Sequence, residues 1–408
     1  MHRTPCSAML RNRCNRAKGP RGIITLLAPF ILTLGFAGTV SAQQPASPEL
    51  PRQLAWTAYN LGTTGYNQSV AIGAMLRDRY NITLRVIPGQ NDVSRLLPLV
   101  SNRVQFSANG VATYFAQEGV YQFADPQWGP QALQLLMTSN GLSNQAVAVA
   151  ADTGVTSFAE LRGRRVPFVR AAPALNISME AYLACGGLTW EDVERVDFPG
   201  YEAMWEGVIN GDVDVAFGTT VSGPTRRLEA SPRGIAWLPA PHDDEACWQG
   251  MHSVAPYFTR HMATRGPGIS DEQPQEAGTY PYPALIAQST QDEEMVYWMT
   301  RVIHENFDDF KDADPGAIGW QLERQVFDWV VPYHAGAVRY WREIGVWTDE
   351  LDAHNQSLLE RQRVLAEAWE EAESAGIRDR DEFSEHWQQL RAQRLEAAGF
   401  DPVWETWD

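Results

Sequence analysis

The residues best suited to chemistry in this chain are small and polar, and they recur where predicted strands run into helices. They are Gly62-Thr63-Thr64-Gly65-Tyr66-Asn67, Asn109-Gly110, Ser139-Asn140, the segment from Arg170 to Asn176, and Thr219-Thr220. Glycine permits close backbone approach, Thr and Asn offer hydroxyl and amide bonds, and helix N-termini present free N–H groups to anions. That chemistry is binding of a small polar or anionic molecule rather than bond-making. Strand-to-helix turns are rich in these residues in any case, so composition alone leaves both readings open. Arg170 is the one cation at these ends. It is either a fork for a ligand carboxylate or a surface arginine beside acidic neighbours.

Catalytic signatures are absent: no G-x-S-x-G, H-E-x-x-H, G-x-G-x-x-G or P-loop occurs. The densest polar cluster is His242-Asp243-Asp244-Glu245 with Cys247 and His252. Its residue types suit a metal, but consecutive carboxylates rarely converge on one ion, so a solvated loop is the default and no metal or cofactor is expected.

The elements that must position these residues alternate. Strands are expected at 54–59, 82–87, 104–108 and 132–138, with helices at 69–79, 93–101 and 111–117 between them. This β-α-β-α-β-α-β order predicts a mainly parallel sheet covered on both faces. A second such unit has strands at 145–150, 165–169, 193–198, 213–217 and 234–238, and helices at 157–161, 176–185, 202–210 and from 223. Ligands of open parallel sheets bind outside the strand C-termini, where the polar residues lie. Residues 242–283, with Pro256, Pro267, Pro274, Pro281 and Pro283, read as an extended excursion. Helices are expected at 293–310 and 315–330. Leu351, Leu358 and Leu365 repeat every seven residues with Leu359 and Ala366 beside them, and Phe383, Trp387, Leu390 and Leu395 form a second stripe. Two helices packing back on the body, or a dimerising coiled coil, would each use such stripes.

The first 42 residues carry six basic side chains and no acid, followed from Ile23 to Val40 by an apolar run and then Val40-Ser41-Ala42. This is the order of an export signal. An 18-residue run could just span a bilayer, but Pro29, Gly35, Gly38 and the small-residue exit favour cleavage near Ala42. The expectation is therefore an exported, periplasmic protein. Beyond residue 42 the chain holds 27 basic and 50 acidic residues, with Lys311 the only lysine. So acidic a surface repels phosphate backbones and excludes nucleic acid as a partner. Cys185 and Cys247 remain after cleavage, as a disulfide or as two buried thiols.

Several segments together resemble the TAXI family, the extracytoplasmic receptors of TRAP transporters. They are TAYNLGTTGY at 57–66, GQNDVSRL at 89–96, FAELRGRRV at 158–166, NGDVDVAF at 210–217 and, most specifically, PYHAGAVRYWREIGVW at 332–347. The last is similar to the family's P-x-HPGA-x-RYYRE-x-G signature. The resemblance spans about 54–347. It implies an α/β, two-lobed periplasmic-binding-protein-like fold of type II with a helical extension at its C-terminus. The division expected is 1–42 signal, 51–140 plus 281–347 lobe one, 141–280 lobe two and 348–408 the extension. It also implies capture of a small organic anion by hinge closure and delivery to the membrane permease of a secondary transporter, without catalysis. Two departures lie where ligand contacts are expected. Arg170-Ala171-Ala172-Pro173-Ala174-Leu175-Asn176 replaces a Gly-Ser-Gly-Thr loop, and Ala108-Asn109-Gly110 replaces a Gln-Ser-Asp type sequence. Glutamate is therefore not carried over as the ligand.

The expected ligand set is Thr63, Thr64, Tyr66, Asn67, Asn109, Arg170, Asn176, Tyr201, Thr219 and Thr220. Arg170 pairs a carboxylate, Thr64 and Asn67 hold the other end, and Tyr66 and Tyr201 wall the cleft. The lobes should close about crossovers near 139–145 and 239–285. The alternatives are the same fold serving an ATP-driven importer or a sensor kinase, and an extracytoplasmic enzyme using the 242–252 cluster.

Overall fold

The computed structural model describes residues 51–407. The expected export signal lies outside the described residues. The chain begins with β1 (Gln53–Ala58), α1 (Thr64–Tyr80), β2 (Thr83–Pro88), α2 (Asp92–Val100), β3 (Phe106–Asn109), α3 (Ala112–Glu118) and β4 (Leu133–Thr138). Then follow β5 (Gln145–Ala150), β6 (Arg165–Val169), α4 (Pro173–Cys185), β7 (Glu194–Phe198), α5 (Tyr201–Asn210), β8 (Val215–Thr219), α6 (Gly223–Ala230) and β9 (Ile235–Trp237). Next come α7 (Glu245–Val254), β10 (Thr259–Ala263), β11 (Gln275–Thr279), β12 (Ala284–Gln288), α8 (Glu293–Glu305) and α9 (Ala335–Glu343). The long helices α10 (Asp349–Ser374) and α11 (Arg380–Ala397) close the chain.

This is a mixed α/β, two-lobed, periplasmic-binding-protein-like architecture with a helical C-terminal segment. Lobe one carries a five-stranded sheet in the order β2-β1-β3-β12-β4. Its β1, β2 and β3 run parallel, as the alternation of elements predicts. β12 breaks that pattern: it inserts between β3 and β4, antiparallel to both. No local periodicity signals a strand that returns from residue 284 to the middle of a sheet begun at residue 53. Lobe two has a three-stranded sheet, β8-β5-β9, in which β5 is antiparallel to both neighbours, and a parallel pair, β6-β7. β4 and β5 are buried along their whole length. Their near-continuous apolar runs, LQLLMT and QAVAVA, suit strands covered on both faces.

Two expectations fail. The region expected to be an extended excursion holds α7 and the antiparallel β10-β11 hairpin, seated inside lobe two. The proline spacing concealed both, since Pro256, Pro267 and Pro274 fall between the elements rather than within them. The helix expected at 315–330 is two short 3-10 turns, Ala317–Trp320 and Leu322–Arg324. Apolar spacing over a short window cannot tell such turns from a helix. The signature-like stretch at 332–347 does structural work: Leu135 N–H donates to the Pro332 carbonyl at 2.8 Å and His334 N–H to the Leu135 carbonyl at 2.9 Å, flanking β4. Cys185 and Cys247 form a disulfide joining α4 to the first turn of α7.

The C-terminal helices pack back on the body, burying Val364, Leu365, Ala368, Trp369 and Ala372 of α10 with Phe383, Trp387, Leu390 and Leu395 of α11. Their anchor is ionic. Glu118, at the end of α3, is fully buried and accepts from Arg361 Nε and Nη2 at 2.7 Å each, and from Arg391. Arg391 also donates to the carbonyls of Glu118, Pro402 and Trp404. Burial pushes the Glu118 carboxyl up, but Arg391 and Arg361 outweigh it and hold it below its ordinary value of 4.5. Past α11 the chain turns so that the Trp404 ring rests 5.0 Å from Tyr114 and 5.1 Å from Phe115, and its indole N–H donates to the Val254 carbonyl of lobe two at 3.1 Å. The tail thus touches both lobes.

Breaking a buried charge cluster leaves the partner charges unpaired, which costs about 3–5 kcal/mol. Glu118→Gln should lower stability by that amount in urea unfolding and expose the 349–407 segment to limited proteolysis. Because the Glu118 carboxyl is depressed in the folded state, its contribution is complete above its ordinary value and is lost as pH falls through the depressed one. Acid-induced release of the tail, followed by tryptophan fluorescence, should be weaker in the Gln variant than in the parent.

Candidate functional site

The two lobes meet over a small cavity of about 30 Å³. Two short crossings connect them, at 139–144 between β4 and β5 and at 280–283 between β11 and β12. The crossings are laced together: Tyr282 N–H donates to the Ser139 carbonyl at 2.7 Å and Ser139 N–H to the Pro283 carbonyl at 2.8 Å. Away from the crossings the lobes touch through backbone. Gly223 N–H donates to the Gly62 carbonyl at 3.1 Å, Tyr201 N–H to Gln90 at 3.0 Å and Asp92 N–H to Ala171 at 3.1 Å. The conformation is therefore closed.

Four helix N-termini point at the cavity. Thr63 and Thr64 begin α1, Ala174 lies in the first turn of α4, Tyr201 begins α5 and Ser222 precedes α6, and all five line the space. None of these four helices has a side-chain N-cap bond. Some of their first N–H groups are taken up by the other lobe, Tyr201 N–H by Gln90, Gly223 N–H by Gly62 and Ala174 N–H by Asp92, while the positive dipole ends still face the cavity.

The charged centre of the site is Arg95, on α2. It is 1% exposed and lines the cavity. Its Nη2 donates to Asp92 Oδ1 at 2.9 Å, while Nε and Nη1 are buried and make no well-formed hydrogen bond, with the Tyr282 hydroxyl beside the guanidinium. The guanidinium lies 4.1 Å above the Tyr59 ring. Asp92, wholly buried, is used on every side: Oδ1 also accepts from Tyr59 Oη at 3.0 Å, and Oδ2 accepts from Ala174 N–H of lobe two at 2.8 Å. Burial pushes the Asp92 carboxyl up, opposed by Arg95, the Ala174 amide and Tyr59. Burial and then the charge of Asp92 hold the Tyr59 phenol well above its ordinary value. Tyr282, from the second crossing, packs against Gly65 and Gly110; a Cβ on Gly110 would fall 2.7 Å from its ring. Phe217, Leu175 and Tyr280 complete the apolar walls.

Of the expected ligand residues, Thr63, Thr64, Tyr201 and Thr219 line the cavity. The others do not. Arg170 is the main correction: its side chain is 71% exposed and faces Asp197 at 3.5 Å. It lies just past the end of β6 and is not among the residues lining the space. Asn176 ties α4 to β6 by accepting from Val169 N–H and donating to the Val169 carbonyl, each at 2.9 Å. Asn109 accepts from Gly110 N–H at 2.9 Å, and Thr220 donates to the Arg265 carbonyl at 2.8 Å. Asn67 is drawn away to Asp314, and Tyr66 is half-buried outside the cavity. The residues missed are Arg95, Tyr59, Tyr280, Tyr282 and Gln145. For Arg95 a signal existed. It is three residues after Asp92 and one before Leu96, so a charged pair shares the buried helix side with an apolar residue, which only a partnered or functional charge tolerates.

The 242–252 cluster is dispersed into other duties. Asp244 caps α7 through the Cys247 N–H, Cys247 is disulfide-bonded, and His242 and His252 each face a backbone carbonyl. Among the described residues no group of three or more His, Cys, Asp or Glu side chains is arranged to hold a metal.

The site is thus an interlobe cavity bordered by helix N-termini and lined by one buried arginine. The chain belongs to the NMT1-like family, whose model matches residues 61–345. No curated protein matches the sequence. Among solved structures, it is similar to an ancestral arginine-binding protein bound to arginine (8% identity, 66% of this chain and 98% of that one, TM-score 0.41). It is also similar to the alkanesulfonate-binding protein SsuA of Xanthomonas axonopodis pv. citri bound to MOPS (12%, 74% and 93%, TM-score 0.40). A third is a periplasmic binding protein from Brucella ovis with glutathione bound (13%, 64% and 73%, TM-score 0.39).

One of the interlobe contacts is a close backbone approach that tolerates only glycine. A Cβ on Gly223 would stand 2.6 Å from the Gly62 carbonyl oxygen, across the lobe boundary. Gly223→Ala should leave each lobe folded but hold the lobes apart. X-ray scattering should then give a larger radius of gyration than for the parent, with solute affinity reduced at least about tenfold, the effect of making closure about 1.4 kcal/mol less favourable.

Proposed function

We propose that this protein is an extracytoplasmic solute receptor. It binds a small, carboxylate-bearing organic molecule between its lobes and hands it to a TRAP-type secondary transporter, without chemical change to the solute. The observation that carries the reading is Arg95, whose Nε and Nη1 are buried without a well-formed hydrogen bond at the wall of the interlobe cavity. A buried guanidinium face left so is costly, and a bound anion removes that cost. Thr63, Thr64, Tyr201 and Thr219 take the supporting roles, and Arg170 has none.

The TRAP assignment rests on the resemblance of residues 57–66, 89–96 and 332–347 to the TAXI receptors. Membership of the NMT1-like family and the periplasmic binding proteins among the similar structures support the broader receptor reading. Export to the periplasm, with cleavage near Ala42, belongs to the same reading, and N-terminal sequencing of protein from the periplasm tests it.

Native mass spectrometry of the purified mature protein, before and after unfolding and refolding, tests capture directly. A small-molecule mass lost on unfolding supports the receptor. Absence of any bound mass, with no organic acid raising the melting temperature, overturns it. Uptake into vesicles driven by an ion gradient without ATP separates a TRAP partner from an ATP-driven importer. For whichever solute is found, Arg95→Gln should weaken binding about 30-fold or more, the loss of a charged, buried hydrogen-bond pair. Arg170→Ala should leave affinity within about twofold, because an exposed pair contributes little.

A further inference from the structure

The cavity has one charged lining residue, and this limits what it can accept. Among the sixteen residues around the space, Arg95 alone carries charge. Asp92 stands behind it with both oxygens engaged, Oδ1 by Arg95 and Tyr59, and Oδ2 by the Ala174 amide. No carboxylate oxygen is left for a ligand ammonium, and no second cation is present for a second anionic group. The remaining polar capacity suits one anion. It includes Arg95 Nε and Nη1, the Thr64 hydroxyl, which is buried without a partner, and the dipole ends of α1, α5 and α6, which have no side-chain cap. Five of the sixteen lining residues are aromatic: Tyr59, Tyr201, Phe217, Tyr280 and Tyr282. Rings held at tilted and edge-on angles, such as Tyr59 and Tyr201 at 5.2 Å and 52°, offer faces and edges to a flat guest.

We infer that the ligand is a monoanion built as one carboxylate or sulfonate on a flat aromatic body, with neither an ammonium nor a second anionic group. This rests on the reading of the cavity as the solute site. The anionic head lies against Arg95 and Thr64, and the body lies among the tyrosines. An amino acid would bury its ammonium with no acceptor of opposite charge, and a dicarboxylate would bury a charge with no cation. Both penalties are large where water is excluded.

The test uses matched pairs in calorimetric titrations of mature protein stripped of solute by unfolding and refolding. Hydrocinnamate and phenylalanine differ by one ammonium, benzoate and terephthalate by one carboxylate, benzoate and cyclohexanecarboxylate by flatness, and benzoate and benzenesulfonate by the head group. The expected result is binding of hydrocinnamate, benzoate or benzenesulfonate. Phenylalanine and terephthalate should each be weaker than their partner by about 100-fold or more, and cyclohexanecarboxylate weaker by about threefold or more. Preference between benzoate and benzenesulfonate decides the head group. Because the Thr64 hydroxyl has no partner, Thr64→Val should keep the melting temperature and weaken the best probe about three- to tenfold. Equal or tighter binding of phenylalanine or terephthalate overturns the inference. So does failure of every aromatic monoanion at millimolar concentration. Neither result touches the receptor reading, which a co-purifying solute seen by native mass spectrometry sustains independently.

Discussion

The closed molecule depends on the carboxylate of Asp92. It stands behind the site and bonds to both lobes. One oxygen fixes the Arg95 guanidinium and the Tyr59 phenol on lobe one, and the other accepts the Ala174 amide at the start of α4 on lobe two. Burying a carboxylate is expensive unless every lone pair is used, and here closure supplies the last donor. In an open form Oδ2 would turn to water and the α4 N-terminus would lose an acceptor. Ligand contact and domain closure are thus coupled through two bonds of one side chain, because whatever orders Arg95 also orders Asp92.

A second buried carboxylate, Glu118, does the corresponding work at the back of the molecule. It satisfies two arginines from the C-terminal helices and fixes the tail, whose Trp404 then reaches lobe two. Both carboxylates sit next to helix α-turns of lobe one rather than in its sheet. The sheet provides a rigid floor, and the charged groups at its margins decide what is attached to it.

Much of the fold was legible in the chain. The βα alternation through residue 138, the strands of lobe two as far as β9 and the two tail helices follow from apolar period and glycine or proline punctuation. What was not legible involves distance along the chain. β12 lies beside β3 and β4 only because lobe two intervenes as an excursion, and no local pattern encodes an antiparallel return. The hairpin β10-β11 was concealed by prolines that bound it. Of the strand-end residues singled out, Thr63, Thr64, Tyr201 and Thr219 line the cavity, the first three at helix starts and Thr219 at the end of β8. Arg170 does not line it: a strand-end position says which edge a side chain occupies, not which way it emerges. Arg95 was missed because it sits on a helix interior, where charge is ordinarily read as solvated surface.

The placement of β12 has a consequence for how the molecule is made. Strands β1, β3 and β4 are complete by residue 138, yet the strand that joins β3 to β4 is residues 284–288. Until that segment has emerged, the facing edges of β3 and β4 have no partner, and both strands are buried in the final structure. Such edges are open to pairing with other chains. The pairing that closes them spans well over a hundred residues, a separation that slows folding. Lobe one therefore starts first and finishes last, and the interval between is the period in which this protein most needs to be kept from its neighbours.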